Sequence, residues 1–266
     1  MTRIERCFAA LKASGSGGLV CFVTAGDPDL ETSRRIVLEL DRSGADIVEL
    51  GVPFSDPMAD GPSIQASSMR ALEAGANVTA VLELVGAIRK DSDLPLALMT
   101  YYNPIRQYGL ERFAGDAASA GVDGVIVTDL TPEEAGDWKS CAERSGVNTI
   151  FLLAPTSTDA RIEKVAGLAS GFIYCVSRTG VTGARKELAS GIGELVERIR
   201  ARSDLPIAVG FGISKPEHVR EVCEYANAAV VGSALVDLIA AKAGTDGLVT
   251  EVRGLVTALR SGADGR

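Results

Sequence analysis

Eight short apolar runs recur along the whole chain, and no other feature restricts its possible folds as strongly. Each run is five or six residues long, is rich in β-branched side chains and shows almost no alternation with polar residues. Runs of this length and composition predict parallel strands that are covered on both faces. The runs occupy residues 19–24, 46–50, 95–100, 124–129, 148–153, 172–177, 206–211 and 228–232.

The segments between these runs carry apolar residues at helical spacing. The pattern predicts helices over 30–43, 78–89 and 191–201, and the prolines and glutamates after Thr131 and Ser214 predict two further hydroxyl-capped helix starts. Strands that alternate with helices, without a second compositional regime, favour one closed barrel. A doubly wound open sheet fits the alternation too, but it usually has five or six strands. The sequence therefore predicts the α/β class and a (β/α)8 TIM barrel.

The chain length agrees with one such barrel, because the fold typically takes about 250 residues and this chain has 266. We expect residues 1–266 to form a single domain. An extra amphipathic N-terminal helix over 2–12 is predicted to close the bottom of the barrel, and residues 261–266 are predicted to be a frayed tail.

Extra chain follows the second and the sixth predicted strands. The starts of the second and third strands, at 46 and 95, are 49 residues apart, and those of the sixth and seventh, at 172 and 206, are 34 apart. The loops after these strands belong to the carboxyl end of a barrel, where the active sites of this fold lie.

The ionisable residues exclude several classes of function. The formal net charge is −8 at pH 7, which argues against a nucleic-acid-binding protein. His218 is the single histidine, so a zinc site built from several histidines is impossible, and no metal site is predicted. We expect His218 itself to be a surface residue of a helix.

The cysteines and the apolar runs indicate where the protein resides. The five cysteines are odd in number and form no CxxC pair, which is typical of reduced thiols in a cytosolic protein. The first residues lack the apolar core of a signal peptide, and no apolar run approaches the ~18 residues of a membrane span. The sequence therefore predicts a cytoplasmic protein without a membrane segment.

Two carboxylates near the end of the second predicted strand are the candidate catalytic residues. Glu49 lies within an apolar strand, where lost hydration raises a carboxyl pKa and suits the group to proton transfer near neutral pH. The alternative for Glu49 is a buried glutamate that pairs with a backbone amide or an arginine. Asp60 lies in the following loop with Asp56, and its alternative is a turn-forming role, which we favour for Asp56. Two carboxylates in different environments can act as acid/base and as a fixed charge.

Glycine-rich segments follow the sixth, seventh and eighth predicted strands. Residues 177–183, Gly212 and the pair Gly232–Ser233 lie where backbone amides can approach a phosphate closely, helped by the dipole of a following helix. The alternative is that these glycines only form tight turns. Residues 177–187 lack an apolar period, which predicts a mobile lid.

The lysines argue against one type of covalent chemistry. None of the seven lies within a predicted strand, where a desolvated Schiff-base lysine is expected, so a Schiff-base aldolase is disfavoured.

Other side chains at strand ends can belong either to the hydrophobic core or to the active site. Phe22 and Phe211 are core or pocket wall, Tyr101 and Tyr174 are barrel packing or pocket, and Asp129 reaches the mouth or caps a helix.

These motifs together resemble the alpha subunit family of tryptophan synthase. The most specific run is Glu49 followed by LGVPFSDPMADGP over residues 50–62. Supporting runs in family order are FVTAGDP (22–28), SRTGVTG (177–183), GFGIS (210–214) and GS (232–233). The departures are small: Thr131 stands where a proline is common, and Asn227–Ala228 where Asp-Gly is frequent.

The resemblance implies a lyase of tryptophan biosynthesis that cleaves indole-3-glycerol phosphate to indole and glyceraldehyde 3-phosphate by a retro-aldol reaction. Glu49 would be the acid and base, and Asp60 would accept a hydrogen bond from the indole N–H. Thr182, in the lid, would position Asp60 on closure. The implied site residues are Phe22, Thr100, Tyr101, Asp129, Tyr174 and Phe211 for the indole pocket, Gly183, Gly212, Gly232 and Ser233 for the phosphate, and Arg178 and Thr182 for the lid.

The resemblance also implies a partner, the tryptophan synthase β subunit, in an α₂β₂ heterotetramer in which indole passes between subunits. Pro53, Asp56 and Pro57 would lie at that contact. Pyridoxal phosphate would belong to the β subunit, so no cofactor is predicted for this chain.

Two other hypotheses stay open on sequence alone. Another phosphate-binding barrel enzyme, such as an indole-glycerol-phosphate synthase or a phosphosugar isomerase, fits the fold, although a synthase needs strand-end lysines that this chain lacks. A non-catalytic barrel that only activates a partner is the second hypothesis, and the presence of both Glu49 and Asp60 argues against it.

Overall fold

In the described chain, eight parallel strands pair in sequence order and the eighth pairs with the first, so the sheet closes into a barrel. The computed structural model describes residues 1–176, 185–210 and 212–264, and only the backbone of 185–190. The predicted (β/α)8 TIM barrel is confirmed. The strands are β1 (Gly18–Thr24), β2 (Ile47–Gly51), β3 (Leu96–Thr100), β4 (Gly124–Val127), β5 (Asn148–Leu153), β6 (Ile173–Val176), β7 (Ile207–Gly210) and β8 (Ala228–Val231).

Side chains along each strand alternate between the barrel interior and the surrounding helices. In β1, Val20 belongs to a cluster inside the barrel, whereas Leu19 belongs to the larger cluster between sheet and helices. In β2, Ile47 lies inside and Val48 outside. The same period places Glu49 on the interior side of β2.

Helices surround the barrel between successive strands. The long stretch after β2 contains two of them, which accounts for the extra chain predicted there. Those in the described residues are α1 (Arg3–Ser14), α2 (Leu30–Arg42), α3 (Pro62–Glu73), α4 (Val78–Ile88), α5 (Tyr102–Tyr108), α6 (Leu110–Ala120), α7 (Gly136–Ser145), α8 (Asp159–Leu168), α9 (Arg185–Arg200), α10 (Pro216–Tyr225), α11 (Ser233–Lys242) and α12 (Leu248–Ala263).

The helix α1 closes the amino end of the barrel, as the sequence predicts. Its first turn carries a capping box, which satisfies backbone N–H groups at the helix start. Its apolar face, formed by Ile4, Phe8 and Leu11, belongs to the cluster inside the barrel. Arg3 forms an ion pair with Asp123, which directly precedes β4, so the helix is held at that end.

One predicted helix start is wrong, and a second is confirmed in position but not in its cap. The helix α7 begins at Gly136 rather than beside Thr131, because the Thr131 hydroxyl donates to the Glu134 carboxylate and residues 132–135 form turns. The helix α10 begins at Pro216 with Lys215 as its N-cap, and no side chain caps it, so Ser214 is not the cap.

The predicted frayed tail over 261–266 is wrong for residues 261–263, which complete α12. Gly262 packs against the carbonyl group of Pro216 in α10, and Ala263 is fully buried. The Ala263 carbonyl accepts a hydrogen bond of 3.0 Å from the N–H of Gly17, directly before β1. The last helix is thereby attached to the first strand.

Within the described ranges, no single helix is long and apolar enough to cross a bilayer. The helices α3 and α4 reach that length and composition only as a pair, across a bend of 93°. Both lie in the helix layer, where α3 packs on α11 and α4 packs on α2.

Replacing Gly262 with alanine should destabilise the protein, because the new methyl group would overlap the Pro216 carbonyl. Overpacking of this kind costs about 1–3 kcal/mol in the free energy of unfolding, measured by urea denaturation. Gly254 in the same helix has open space around it, so Gly254→Ala should instead add about 0.5–1 kcal/mol. Equal effects of the two substitutions would contradict the packing of the last turn of α12.

Candidate active site

A narrow cavity, partly open to solvent, lies at the carboxyl end of the barrel. Its wall is formed by residues of β1, β2 and β3, of the chain that follows β2, β3 and β4, and of α3. Four predicted site residues are among those that line it. The lining consists of Phe22, Gly51, Val52, Asp60, Ile64, Ser68, Met99, Thr100, Tyr101 and Thr128.

Glu49 is fully buried on the interior side of β2. Its register partners are Phe22 of β1, in the cavity wall, and Ala97 of β3. Neither carboxylate oxygen has a hydrogen-bond partner in the described part of the chain, so neither a backbone amide nor an arginine of these residues neutralises it. Burial raises the pKa of Glu49 from 4.5 to about 8. A carboxyl group of this kind can both give and take a proton near neutral pH.

Asp60 lies half-buried in the loop between β2 and α3, on the wall of the same cavity. Its Oδ2 atom accepts a hydrogen bond of 3.0 Å from the Tyr101 hydroxyl, which in turn accepts one of 2.9 Å from the N–H of Ala59. Burial raises the pKa of Asp60, and the Tyr101 hydrogen bond opposes that rise. Tyr101 therefore orients Asp60 from the end of β3.

The aromatic wall of the cavity requires a glycine beside it. A side chain at Gly51 would place its Cβ atom 2.7 Å from Cζ of Phe22, so only glycine lets the Phe22 ring occupy this position. The rings of Phe54 and Tyr101 lie 5.2 Å apart between centroids. Thr100 contributes a buried, short side chain.

Several lining residues were not predicted from the sequence. Ile64 and Ser68 lie four residues apart on α3, and this helical spacing directly after Asp60 is the signal that could have found them. Met99 and Thr128 lie at the carboxyl ends of neighbouring strands, where their position alone could have indicated a site.

Tyr174 lies inside the barrel on β6, packed among the interior cluster rather than in the cavity lining. Its pKa is raised well above the ordinary value by burial, and then by the negative charges of Glu49 and Asp60. Tyr174 is thus near both carboxylates. A side chain at Gly210 would come within 2.5 Å of its hydroxyl, so the strand β7 lies closely against the ring.

Asp129 is not brought to the cavity. It is exposed after β4, and its Oδ1 atom accepts a hydrogen bond of 2.7 Å from the N–H of Tyr102, the first residue of α5. The carboxylate therefore caps the helix that follows the neighbouring strand, which corrects its assignment to the indole pocket.

The predicted phosphate-binding residues lie partly within the described chain. Gly232 is the N-cap of α11 and Ser233 its first residue, so free N–H groups and the helix dipole meet at this point. Gly232 is also close to Phe22, since a Cβ atom there would lie 3.6 Å from Cβ of Phe22. Gly210 pairs with Val230, so Gly212 and Gly232 follow neighbouring strands at the same level of the barrel. Gly212 has a φ of 50°, which favours glycine.

Residues 177–184 and 211 lie outside the described residues. Four of the predicted site residues are among them: Arg178, Thr182, Gly183 and Phe211. The predicted lid over 177–187 is corrected at its end, because the backbone of residues 185–187 forms the first turn of α9.

The loop after β2 exposes the predicted contact residues unequally. Pro53 is buried, Pro57 is half-buried and Asp56 is exposed, with its carboxylate accepting a hydrogen bond from the Ser55 hydroxyl. Met58 beside them is 92% exposed. In the described ranges, no group of three or more His, Cys, Asp or Glu side chains is arranged to hold a metal ion.

Comparison with known proteins gives one consistent match. The family model described as tryptophan synthase alpha chain matches residues 8–262. A tryptophan synthase alpha chain from Geotalea uraniireducens (strain Rf4) is 55% identical over 262 residues, covering 98% of each chain, and one from Geobacter sp. (strain M21) is 53% identical over the same coverage. The crystal structure of tryptophan synthase subunit alpha from Legionella pneumophila str. Paris is similar over 100% of both chains, with 37% identity and a TM-score of 0.92.

Replacing Glu49 with glutamine should change how stability depends on pH. The pKa of Glu49 is about 8 in the folded chain and 4.5 ordinarily, so between these values the folded state holds a proton that the unfolded state has released. The contribution of this proton to the free energy of unfolding is fully present below pH 4.5. It falls by about 1.4 kcal/mol per pH unit as the pH rises towards 8. Urea unfolding should show this loss in the wild type relative to Glu49→Gln.

The control for this experiment is Glu73→Gln, which neutralises an exposed glutamate of α3 and should keep the wild-type pH dependence. Identical pH dependences for the wild type and Glu49→Gln would contradict a raised pKa at Glu49.

Proposed function

Because this chain belongs to the tryptophan synthase alpha chain family, we propose that Glu49 and Asp60 divide the chemistry of its reaction. The chain is a lyase of tryptophan biosynthesis that cleaves indole-3-glycerol phosphate by a retro-aldol reaction. One observation carries the assignment of roles: a fully buried carboxyl without a partner among the described residues lies next to a cavity that a second carboxylate lines.

Glu49 acts as both acid and base. Its protonated form gives a proton to C3 of the indole ring, and its carboxylate then takes the proton of the glycerol hydroxyl next to the bond that breaks. The electrons of that O–H bond form the carbonyl of glyceraldehyde 3-phosphate, and those of the broken C–C bond return to the ring as indole leaves. The proton that Glu49 loses is thus replaced, and a pKa of about 8 makes both transfers accessible near neutral pH.

Asp60 acts as a fixed negative charge. Protonation of C3 makes the indole ring positive, and the charge is shared with its nitrogen. The Asp60 carboxylate accepts a hydrogen bond from the indole N–H and stabilises this intermediate, because a carboxylate in a partly buried site interacts strongly with a nearby positive charge. The Tyr101 hydroxyl supports this role by orienting Oδ2 of Asp60.

The phosphate group binds at the N-terminus of α11. The N–H groups at Gly232 and Ser233 point out of the helix start, and the helix dipole favours an anion there. Gly212 follows the neighbouring strand and adds backbone amides at the same level. The proximity of Gly232 to Phe22 links this phosphate site to the indole wall of the cavity.

The proposed partner is the tryptophan synthase β subunit, in an α₂β₂ assembly with indole passing from one subunit to the other. Pro53, Asp56 and Pro57 contribute to this contact. Met58 supports the proposal, because methionine is enriched at protein interfaces and this side chain is almost fully exposed in the free chain. Pyridoxal phosphate belongs to the β subunit in this proposal, and the α chain needs no cofactor of its own in the cytoplasm.

The direct test mixes the purified chain with indole-3-glycerol phosphate and follows the appearance of indole, with and without a β subunit. Indole release that depends on the chain supports the proposal. No indole release under either condition would refute the assigned activity.

Replacing Glu49 with glutamine should lower kcat for indole release by about 10⁴-fold, because the amide can neither give nor take the proton. Circular dichroism should show an unchanged fold, and binding of glyceraldehyde 3-phosphate, measured by calorimetry, should be retained. Turnover at the wild-type rate would remove Glu49 from the role of acid and base.

Replacing Asp60 with asparagine should lower kcat by about 10²–10³-fold, since the side chain keeps its shape but loses the charge that stabilises the positive ring. Steady-state kinetics of indole formation measure this change. The exposed Glu73 of α3 supplies a control, because Glu73→Gln removes a negative charge away from the cavity lining and should leave kcat unchanged. Unchanged kinetics for Asp60→Asn would exclude a charge role for Asp60.

A further inference from the structure

An ion pair between a buried carboxylate and a half-buried arginine joins α3 to the loop that follows β1. Nε and Nη2 of Arg70 each donate a hydrogen bond of 2.8 Å to a different oxygen of the Asp27 carboxylate. Asp27 is 3% exposed, whereas the Arg70 side chain is 34% exposed, so the carboxylate is buried and the guanidinium group is partly open to solvent. An arginine–carboxylate contact of this geometry sets the relative orientation of its two elements as well as their distance.

A second contact joins the same two elements one turn earlier on the helix. The hydroxyl oxygens of Thr24, at the end of β1, and Ser67, on α3, lie 2.6 Å apart, and both residues are buried. The loop also lies close to the chain just after α3, since a Cβ atom at Gly26 would lie 2.5 Å from Cβ of Ala76. Ser33 of α2 accepts a hydrogen bond from the Gly26 N–H, which holds the loop from its other side.

The helix α3 carries one wall of the cavity. It begins at Pro62, two residues after Asp60, and presents Ile64 and Ser68 to the cavity. The strand β1 carries Phe22, which also lines the cavity. The position of α3 against β1 therefore determines how far the Asp60 carboxylate stands from the aromatic wall.

Arg70 also faces the helix at whose start the phosphate is proposed to bind. The pKa of Arg70 is raised first by its hydrogen bonds to Asp27, and the charge of Asp237 on α11 contributes in the same direction. Asp237 lies one turn after Ser233 on that helix, and α3 and α11 pack together. The guanidinium group thus bonds α3 to the loop after β1 and is attracted by a carboxylate of α11.

We propose that Arg70 and Asp27 are positioning residues for the cleavage reaction, which hold Asp60 at its working distance from the bound indole ring. This inference rests on the proposed function, because it assigns the ion pair to the placement of Asp60. Neither residue lines the cavity, so both act through α3 rather than on the substrate. A shift of about 1 Å in a reacting group can cost about 10²-fold in rate, so the effect is expected in kcat.

Arg70→Lys is the test variant, because lysine keeps the positive charge towards Asp27 and Asp237 but cannot form the two-point contact. The control is Arg89→Lys, which alters another arginine–aspartate pair, with Asp123, at the amino end of the barrel, where the Arg89 side chain is more buried than that of Arg70. We expect Arg70→Lys to lower kcat by about 10–100-fold, with KM and glyceraldehyde 3-phosphate binding changed by less than about threefold. Arg89→Lys should lower the melting temperature but change kcat by less than about twofold.

Ser67→Ala provides a second measurement that leaves the ion pair in place. It removes the hydroxyl contact to Thr24, and we expect a smaller fall in kcat of about 3–10-fold, again without a matching change in KM. If Arg70→Lys does not fold, this variant decides the question.

The outcomes separate this inference from the proposed function. The positioning role is overturned if a folded Arg70→Lys keeps the wild-type kcat, or if Arg70→Lys and Arg89→Lys lose kcat equally. If Arg70→Lys does not fold, a wild-type kcat in Ser67→Ala overturns it. In each case the wild-type chain still releases indole. A wild-type chain that releases no indole would overturn the proposed function instead.

Discussion

The pairing of β1 with both β2 and β8 is the constraint on which the rest of the structure depends. Closure removes the free edges of the sheet and creates an interior that side chains must fill. It also brings the carboxyl ends of all strands to one end of the molecule, where residues distant in sequence meet. Phe22, Asp60 and Tyr101 line one cavity for this reason, although they come from different β/α units.

Closure of the barrel explains both the free-energy cost of burying Glu49 and the ability of this residue to transfer protons. An inward position on a short strand offers no solvent, and an apolar interior offers no partner, so the carboxyl is stable there mainly in its protonated form. A hydrophobic residue at this position would pack without that penalty. The free energy of unfolding therefore falls as the pH rises from 4.5 towards 8, and in return the chain keeps a group that can exchange protons. Asp60 has a hydroxyl partner and retains partial exposure, which suits a residue that must stay charged.

Local sequence patterns were sufficient to predict most of the fold and to single out Glu49 and Asp60 as candidate catalytic residues. Each apolar run predicted a strand to within two residues at either end, because a strand covered on both faces has a distinctive composition. Glu49 stood out for the same reason, as a charge in an apolar run. Predictions failed where a long-range contact decides the outcome: Asp129 caps a helix of the neighbouring unit, and Gly262 is packed against α10. Ile64 and Ser68 were missed because their helical spacing indicates a shared helix face, and only their position directly after Asp60 connects that face with the cavity.

The bond between Ala263 and Gly17 has a consequence for how the protein is made. Strand β1 leaves the ribosome early, but its partner β8 and the helix α12 are synthesised last. Until then the barrel has two open edges through which water can enter its interior. Because burial raises the pKa of Glu49, we expect the full rise only once the barrel has closed.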